Sequence, residues 1–391
     1  MAISNRPYAS NPSDPSNSAR QLISLAAYRD AVGLRDLTDP GQGEHALQLL
    51  VRGAIGALCK AWGVPCLVQR GNPVIPIEDN YDRLGYPPDG AARDARYTRY
   101  VSERLLLRTQ TSALVPEALR RLELSEAQAD WLIACPGLVY RRDEIDRQHC
   151  GEPHQLDLWR VRRGAPLGSS ELEEMIATLV SALLPGVAYR TTNAQHPYTT
   201  AGLQIDVEVR GDWVEIGECG LAHPHVLRGA GLAVPQHSGL ALGLGLDRVL
   251  MLRKGIGDIR LLRTADARVA SQMLDLKPYR AVSHMPPVTR DLSLMVADEL
   301  SKEELGDLVR QALGARAAAV ELIEVRGETA YAELPSQAVA RMGARAGQKN
   351  LLLRVVLRDL ERTLTHAEAN ALRNTIYRAL HAGEREELAL D

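Results

Sequence analysis

The chain has 391 residues and not one phenylalanine, although it carries 12 tyrosines and 4 tryptophans. Ordinary usage gives on the order of fifteen in a chain this long. A drift toward GC-rich codons, visible in the many Ala, Arg and Leu, thins Phe without removing all of it. Long apolar runs are missing too: none approaches the roughly 18 residues of a membrane span, which excludes a helical integral membrane protein. The five cysteines, Cys59, Cys66, Cys135, Cys150 and Cys219, form no CxxC and no paired spacing. That argues against a structural zinc and a disulfide framework and for reduced thiols in a cytoplasm-like compartment. A formal charge of -3 gives no whole-chain attraction for a polyanion, so any nucleic-acid contact rests on local basic patches. What remains is ample: 45% apolar residues supply a core for two or three globular domains.

Residues 1 to about 20 are too rich in Ser, Asn and Pro to bury a face and are expected to be disordered, within a disordered or loosely packed extension over residues 1–40. Arg6, Arg20 and the serines leave a mitochondrial-matrix address open; Asp14 and the lack of an Arg-rich amphipathic helix favour a cytoplasmic protein. After the Asp39-Pro40-Gly41 turn, Leu47, Leu50, Ala54, Leu58 and Ala61 recur at helical spacing and predict a helix over Glu44 to Trp62. Leu105 to Leu107 predict a buried strand that turns polar at Arg108-Thr109-Gln110-Thr111-Ser112, as a sheet does where it ends at a pocket. On their own, Thr109 and Ser112 read more simply as a helix cap.

The segment from Leu138 to Asp157, LVYRRDEIDRQHCGEPHQLD, reads as two strands joined by a polar loop. Such a hairpin sets guanidinium groups, whose planar fork grips phosphate, beside carboxylates that hold an ammonium. A solvated hairpin with surface ion pairs fits these residues equally well. Further on, Leu172 to Leu184 predict a helix, and Asp206 to Gly220 alternate as a hairpin turning at Arg210-Gly211-Asp212. The stretch Gly239 to Leu246 holds three glycines that let backbone approach a flat ligand before a helix from Asp247 to Arg253.

In this order the segments resemble the three motifs of class II aminoacyl-tRNA synthetases, most closely those of phenylalanyl-tRNA synthetases. Motif 2 of that family is an aromatic followed by Arg-x-Asp, a loop ending in His, then Phe-His-Gln-Leu-Glu. Here it is Tyr140, Arg141, Asp143, His149 and Pro153-His154-Gln155-Leu156-Asp157. Motif 1 matches the helix, the strand closed by proline and Asn80-Tyr81-Asp82-Arg83-Leu84; motif 3 matches Gly239 to Arg248 with Gly255-Ile256-Gly257-Asp258-Ile259-Arg260. The family's Leu-Arg-Thr-His-Thr-Ser becomes Leu107 to Ser112, with Gln110 for His, and its Phe-Pro-Phe-Thr becomes His196-Pro197-Tyr198-Thr199.

The resemblance implies ATP contacts from Arg141, Asp143, His149, Pro153, Glu215, Gly243, Gly245 and Arg248, with Arg141 and Arg248 as the catalytic pair and Glu215 holding ATP-bound Mg2+. It implies amino-acid contacts from Gln110, Ser112, Gln155, Asp157, His196, Tyr198, Leu240 and Ala241. The fold implied is α+β: an antiparallel-sheet class II catalytic core over residues 41–275, then a ferredoxin-like anticodon-binding domain over 276–391. The second domain follows from a βαββαβ order, with Thr365 capping a helix from His366 to Leu380 and a short strand ending the chain. Arg290 and the acid-free loop Gln337 to Asn350, with Arg341, Arg345 and Lys349, are the expected tRNA contacts.

The implied activity is ATP-dependent charging of tRNA, that for phenylalanine, with phenylalanine or a related aromatic amino acid through an adenylate, by a monomer or homodimer needing no β subunit. The alternative is a paralogue that binds tRNA or an amino acid without charging, as a regulatory or resistance protein. Where the family motifs carry Phe, this chain has Tyr81, Pro153, His196, Tyr198, Leu240 and Leu242. No single packing constraint links those sites. The common factor lies in translation, as in a backup or resistance enzyme made when charged phenylalanine tRNA is scarce or miscarries another amino acid; deliberate engineering is the alternative.

Overall fold

The computed structural model describes residues 22–122, 128–282 and 285–386. The first half is organised on a seven-stranded sheet. Its strands are β1 (Cys66–Val68), β4 (Asp130–Leu138), β5 (His154–Arg163), β6 (Tyr189–Asn193), β7 (Thr199–Val209), β8 (Asp212–Ala222) and β9 (His237–Gly245). They lie in the order β1-β4-β5-β9-β8-β7-β6, antiparallel except for the β1–β4 pair. Two further strands, β2 (Val74–Pro76) and β3 (Leu105–Leu107), form a small antiparallel pair beside it. The β7–β8 hairpin turns at Arg210-Gly211, both at positive φ (56° and 91°), as a tight two-residue connection requires.

Alternation along the strands gives the sheet two different faces. On one, Leu132, Leu156, Leu158, Leu240, Leu242 and Leu244 pack against the helices Ala46–Trp62, Ser169–Leu183 and Leu246–Lys254. In the first helix the apolar stripe is as predicted through Leu47, Leu50, Ala54 and Leu58, but Ala61 is exposed because the helix reaches its left-handed cap at Gly63 two residues later. The other face carries Ile133, Cys135, Trp159 and Ala241, partly covered by Leu114, Val115 and Leu227.

Residues 22–40 do not form a loose extension. Ser24 caps a helix Leu25–Val32 by accepting the Ala27 N–H at 3.1 Å, Ile23 N–H donates to Tyr100 O, and buried Leu37 donates its N–H to His154 Nε2 at 3.1 Å. The disorder expected up to about residue 20 lies outside the described residues.

The second half is a three-stranded antiparallel sheet in the order β10-β12-β11, from β10 (Val288–Ala297), β11 (Val320–Ala330) and β12 (Gln348–Leu357). Helices Lys302–Leu313 and His366–Leu380 share its core, each opened by a capping box, Ser301 with Glu304 and Thr365 with Glu368. The short closing strand does not form among the described residues. After the last helix, Ala382 N–H donates to Met295 O beside β10, and the chain then turns to Gly343. The expected loop Gln337 to Asn350 is also different: its first part is a helix, Ser336–Met342, stopped at Gly343 in the left-handed conformation (φ 62°), and its end belongs to β12.

The loop between β4 and β5 touches both halves. Arg99, 7% exposed, bridges Glu152 and Asp307, and Arg142 reaches the same Asp307 at 3.4 Å. Ile145 packs in the second core, its carbonyl accepting the Ile323 N–H, while buried Glu321 pairs with Arg147 and Arg358. Buried charges of this kind are tolerated because Asp307 and Glu321 each meet guanidinium groups on more than one side.

His45, at the start of the first long helix, gives the first half a pH dependence. Its Nδ1 accepts the Leu47 N–H at 3.2 Å, so Nε2 carries the proton and donates to Leu262 O at 3.1 Å. Burial pushes the imidazole down to about 4. The unfolded chain takes up this proton first, so the stabilisation is complete above the ordinary value of 6.5 and is lost as pH falls toward about 4. The loss is at most about 3 kcal/mol. Melting temperature followed from pH 7 downward is expected to fall less steeply in His45→Asn, which keeps the cap without the titration; an unchanged slope contradicts this.

Candidate active site

The site is built on the face opposite the helices. In β5, Gln155, Asp157 and Trp159 point to it, and their partners across the ladder in β9 are Gly245, Gly243 and Ala241. Because every second residue of β9 there is small, a trough runs between the β5 side chains and Glu218 of β8, which is opposite Gly243 on the other side. A Cβ on Gly243 would meet Asp157 Oδ2 at 3.8 Å, so a larger residue would fill the trough rather than the core. The same alternation corrects one expectation. Leu240 is fully buried among the helices with Leu242 and Leu244 and cannot line the pocket; Ala241, beside Trp159, does face it.

At one end of the trough sits Asp157, 3% exposed. Its oxygens accept the hydroxyls of Thr111 and Ser112 at 2.8 Å each and the Trp159 Nε1–H at 3.4 Å, and among the described residues no cation pairs with it. Burial raises its pKa. Gln155 Oε1 accepts the Thr111 N–H, and Gln110 joins the group by donating to Asn80 O and accepting the Tyr86 hydroxyl at 3.1 Å. Tyr198 stacks on Trp159 with centroids 6.2 Å apart, its ring also 6.3 Å from Tyr86 and 5.6 Å from His196. His196 Nε2 is 2.6 Å from Glu218 Oε2. The result is an aromatic slot with a buried acid at its base.

Two arginines stand at the other side. Arg141 donates Nε–H to Thr109 O at 2.8 Å and lines a cleft of about 370 Å³ with Tyr86, Tyr97, Thr109, Gln110 and Arg142. Arg248, in the first turn of the helix after β9, donates to Glu215 O at 3.1 Å and to His149 Nε2 at 3.2 Å. His149 therefore carries its proton on Nδ1, which is 2.8 Å from Asp146, and that hydrogen bond raises the imidazole pKa. Under the helix start, buried His154 is gripped by Asp247 through both its N–H and Nδ1, which fixes β5 to the helix that presents Arg248. A larger hollow, about 880 Å³, lies beside Ser169 and Glu173. It shares His196 but holds neither arginine, so its size does not mark the site.

Glu215 carries no hydrogen bond or ion pair from its carboxyl group among the described residues; burial, then Glu218, raises its pKa. No group of three or more His, Cys, Asp or Glu among the described residues is placed to hold a metal. A single unpaired carboxylate nonetheless suits Mg2+, which keeps its waters and takes most of its other oxygens from phosphates.

The remaining expected residues fall as follows. Pro153 opens β5, its carbonyl accepting the Val139 N–H, and offers no aromatic face. Asp143 sits at the junction with the second half: its own Glu144 N–H donates to it, and its carbonyl would be 2.6 Å from a Cβ on Gly306. The tRNA set is divided. Lys349 pairs with Glu328 and Arg345 with Glu384 at one end of the second sheet, whereas Arg290 lies six residues along β10 from the partner of Lys349 and donates to Asn370. Sequence reasoning missed Tyr86, Trp159 and Glu218, and named Asn80 only as part of motif 1. Trp159 was available from its alternation with Asp157; the others arrive from distant segments and leave no local signal.

Residues 68–273, more than half the chain, match the family described as tRNA synthetases class II core domain (F), and residues 283–385 match the ferredoxin-fold anticodon binding domain. The chain is 37% identical over 210 residues to the phenylalanine–tRNA ligase alpha subunit of Prochlorococcus marinus (strain MIT 9313), covering 54% of this chain and 61% of that one. It is 30% identical over 262 residues to the corresponding alpha subunit of Nostoc punctiforme, 65% of this chain and 76% of the relative. Against the chloroplastic/mitochondrial phenylalanine–tRNA ligase of Arabidopsis thaliana it is 27% identical over 321 residues, 78% and 68% of the two chains. The chain thus spans about three-fifths of the Prochlorococcus subunit it matches. Carried on a largely antiparallel sheet whose trough has a buried acid at one end and two arginines at the other, and followed by a ferredoxin-like module, the chain belongs to the class II tRNA synthetase family.

Proposed function

We propose that this chain activates an aromatic amino acid, phenylalanine or a close analogue, with ATP and charges tRNA with it. The observation that carries the reading is the polarity of the trough: an uncompensated buried acid, Asp157, beside an aromatic slot at one end, and Arg141 and Arg248 at the other. An amino acid with its ammonium at Asp157 and its ring against Tyr198 directs its carboxylate toward the arginine side. There the carboxylate oxygen attacks the α-phosphorus of ATP and pyrophosphate leaves; a ribose hydroxyl of the tRNA then attacks the adenylate's carbonyl carbon, the acyl–phosphate bond breaks, and AMP leaves as the hydroxyl loses its proton. The arginines hold and neutralise the phosphates, and most of the acceleration comes from position and charge. Glu215 is the residue that would hold Mg2+, which supplies charge neutralisation on the phosphates. His149, held by Asp146 and touching Arg248, orients that guanidinium.

Replacing Arg141 or Arg248 by Ala is expected to lower ATP–pyrophosphate exchange by at least about 100-fold, with the melting temperature close to that of the natural chain. Exchange that survives either change removes these residues from the chemistry, and a natural chain that shows none with any amino acid is a binding protein.

The slot also carries hydroxyls, from Tyr86 and Tyr198, and the His196–Glu218 pair. A pocket rejects a ligand strongly only where that ligand leaves buried polar groups unpaired, and here a ring hydroxyl finds partners. Discrimination between phenylalanine and tyrosine is therefore expected to be weak. Comparing kcat/KM for the two checks this; a preference for phenylalanine above about 10⁴-fold contradicts it.

A further inference from the structure

The absence of phenylalanine is not a requirement of the fold. The core accepts large rings freely: Trp159 is fully buried, and Tyr81 and Tyr100 are each 1% exposed. At these positions tyrosine is the more demanding choice, because its hydroxyl needs a partner. Tyr81 donates to Ala92 O at 2.6 Å and Tyr100 to Arg93 O at 2.5 Å. Phenylalanine would fill the same volume with no such need. Leu240 and Leu242 lie in the helix-packed core, Tyr198 in the aromatic slot and Pro153 at a strand end, so the positions share no environment.

Base composition does not explain the absence either. Phenylalanine and tyrosine codons differ only at the middle base, U against A, so a GC drift depletes both equally, yet 12 tyrosines remain. Residues with U at the middle position, Leu, Val, Ile and Met, are abundant in the same core. The exclusion acts on phenylalanine itself, at the step where its tRNA is used.

We propose that this chain is fitted to be synthesised while correctly charged phenylalanine tRNA is scarce, so that it restores a product its own synthesis does not consume. This rests on the activity proposed above. Ribosomes making this chain never wait for that tRNA, whereas those making other proteins of similar length stall.

The test compares the natural gene with one encoding Leu25→Phe, Tyr28→Phe, Tyr189→Phe, Leu274→Phe and Tyr331→Phe, all partly or largely exposed and outside the site. The purified proteins are first matched in melting temperature and pyrophosphate exchange. In the cell that encodes the chain, the other enzyme charging phenylalanine tRNA is then placed under repressible control. On repression, pulse labelling is expected to show the natural chain made at an undiminished rate and the variant lost in parallel with Phe-containing proteins; charged tRNA recovers only with the natural gene.

Equal synthesis and recovery with both genes overturns the proposal, as does the lack of any second charging enzyme in that cell. So does a difference seen only when the tRNA carries a phenylalanine analogue rather than running short. Failure of both genes to restore charging overturns it as well, and pyrophosphate exchange by the same purified protein then decides whether the activity falls with it.

Discussion

A carboxylate buried without a cation, Asp157, is the constraint on which the rest of the site depends. Two hydroxyls and an indole N–H hold it, and burial raises its pKa. Such a group is costly unless a positive charge arrives to meet it. Its neighbours are arranged for that arrival. Thr111 and Ser112 come from a short helical turn after β3, with Gln155 accepting the Thr111 N–H, and Gly243 across the ladder leaves the space in front of the acid open. The aromatic slot then gives the arriving molecule a ring-shaped second anchor.

The arginines obey the opposite electrostatic rule, since a guanidinium needs its donors satisfied but its charge free for an anion. Arg141 and Arg248 each spend donors on neutral acceptors, backbone carbonyls and a histidine nitrogen, and among the described residues no acid pairs with either. Arg99 and Arg142, one layer behind, are consumed by Glu152 and Asp307 and fasten the loop carrying Arg141 to the second half of the chain. The distinction between a structural and a ligand-directed arginine is thus whether a carboxylate has already claimed it.

Much of this was legible in the sequence because it is local. The helix stripe from Leu47 to Leu58, the turn at Arg210-Gly211 and the small-large alternation of β9 are short-range patterns that folding preserves. Leu240 was misplaced by giving more weight to a resemblance than to that alternation, which by itself sends Leu240 and Ala241 to opposite faces. Arg290 and Lys349 were grouped by charge although the antiparallel register of β10 and β12 sets them apart. Tyr86 and Glu218 were invisible for a different reason: each reaches the site only through tertiary packing, and a lone polar or aromatic residue in a loop or strand carries no sign of its partner. The packing of residues 22–40 was missed similarly, since buried Leu37 and half-buried Asp36 are held by long-range bonds to His154 and Leu138.

The central claim is that the trough binds an amino acid by its ammonium at Asp157 with its carboxylate directed to the arginines. It is tested most directly by ATP–pyrophosphate exchange with phenylalanine and with 3-phenylpropanoic acid, which keeps the ring and carboxylate but lacks the amino group. The account predicts exchange with phenylalanine and its loss with the des-amino acid. Equal exchange with both would mean that Asp157 does not select the substrate.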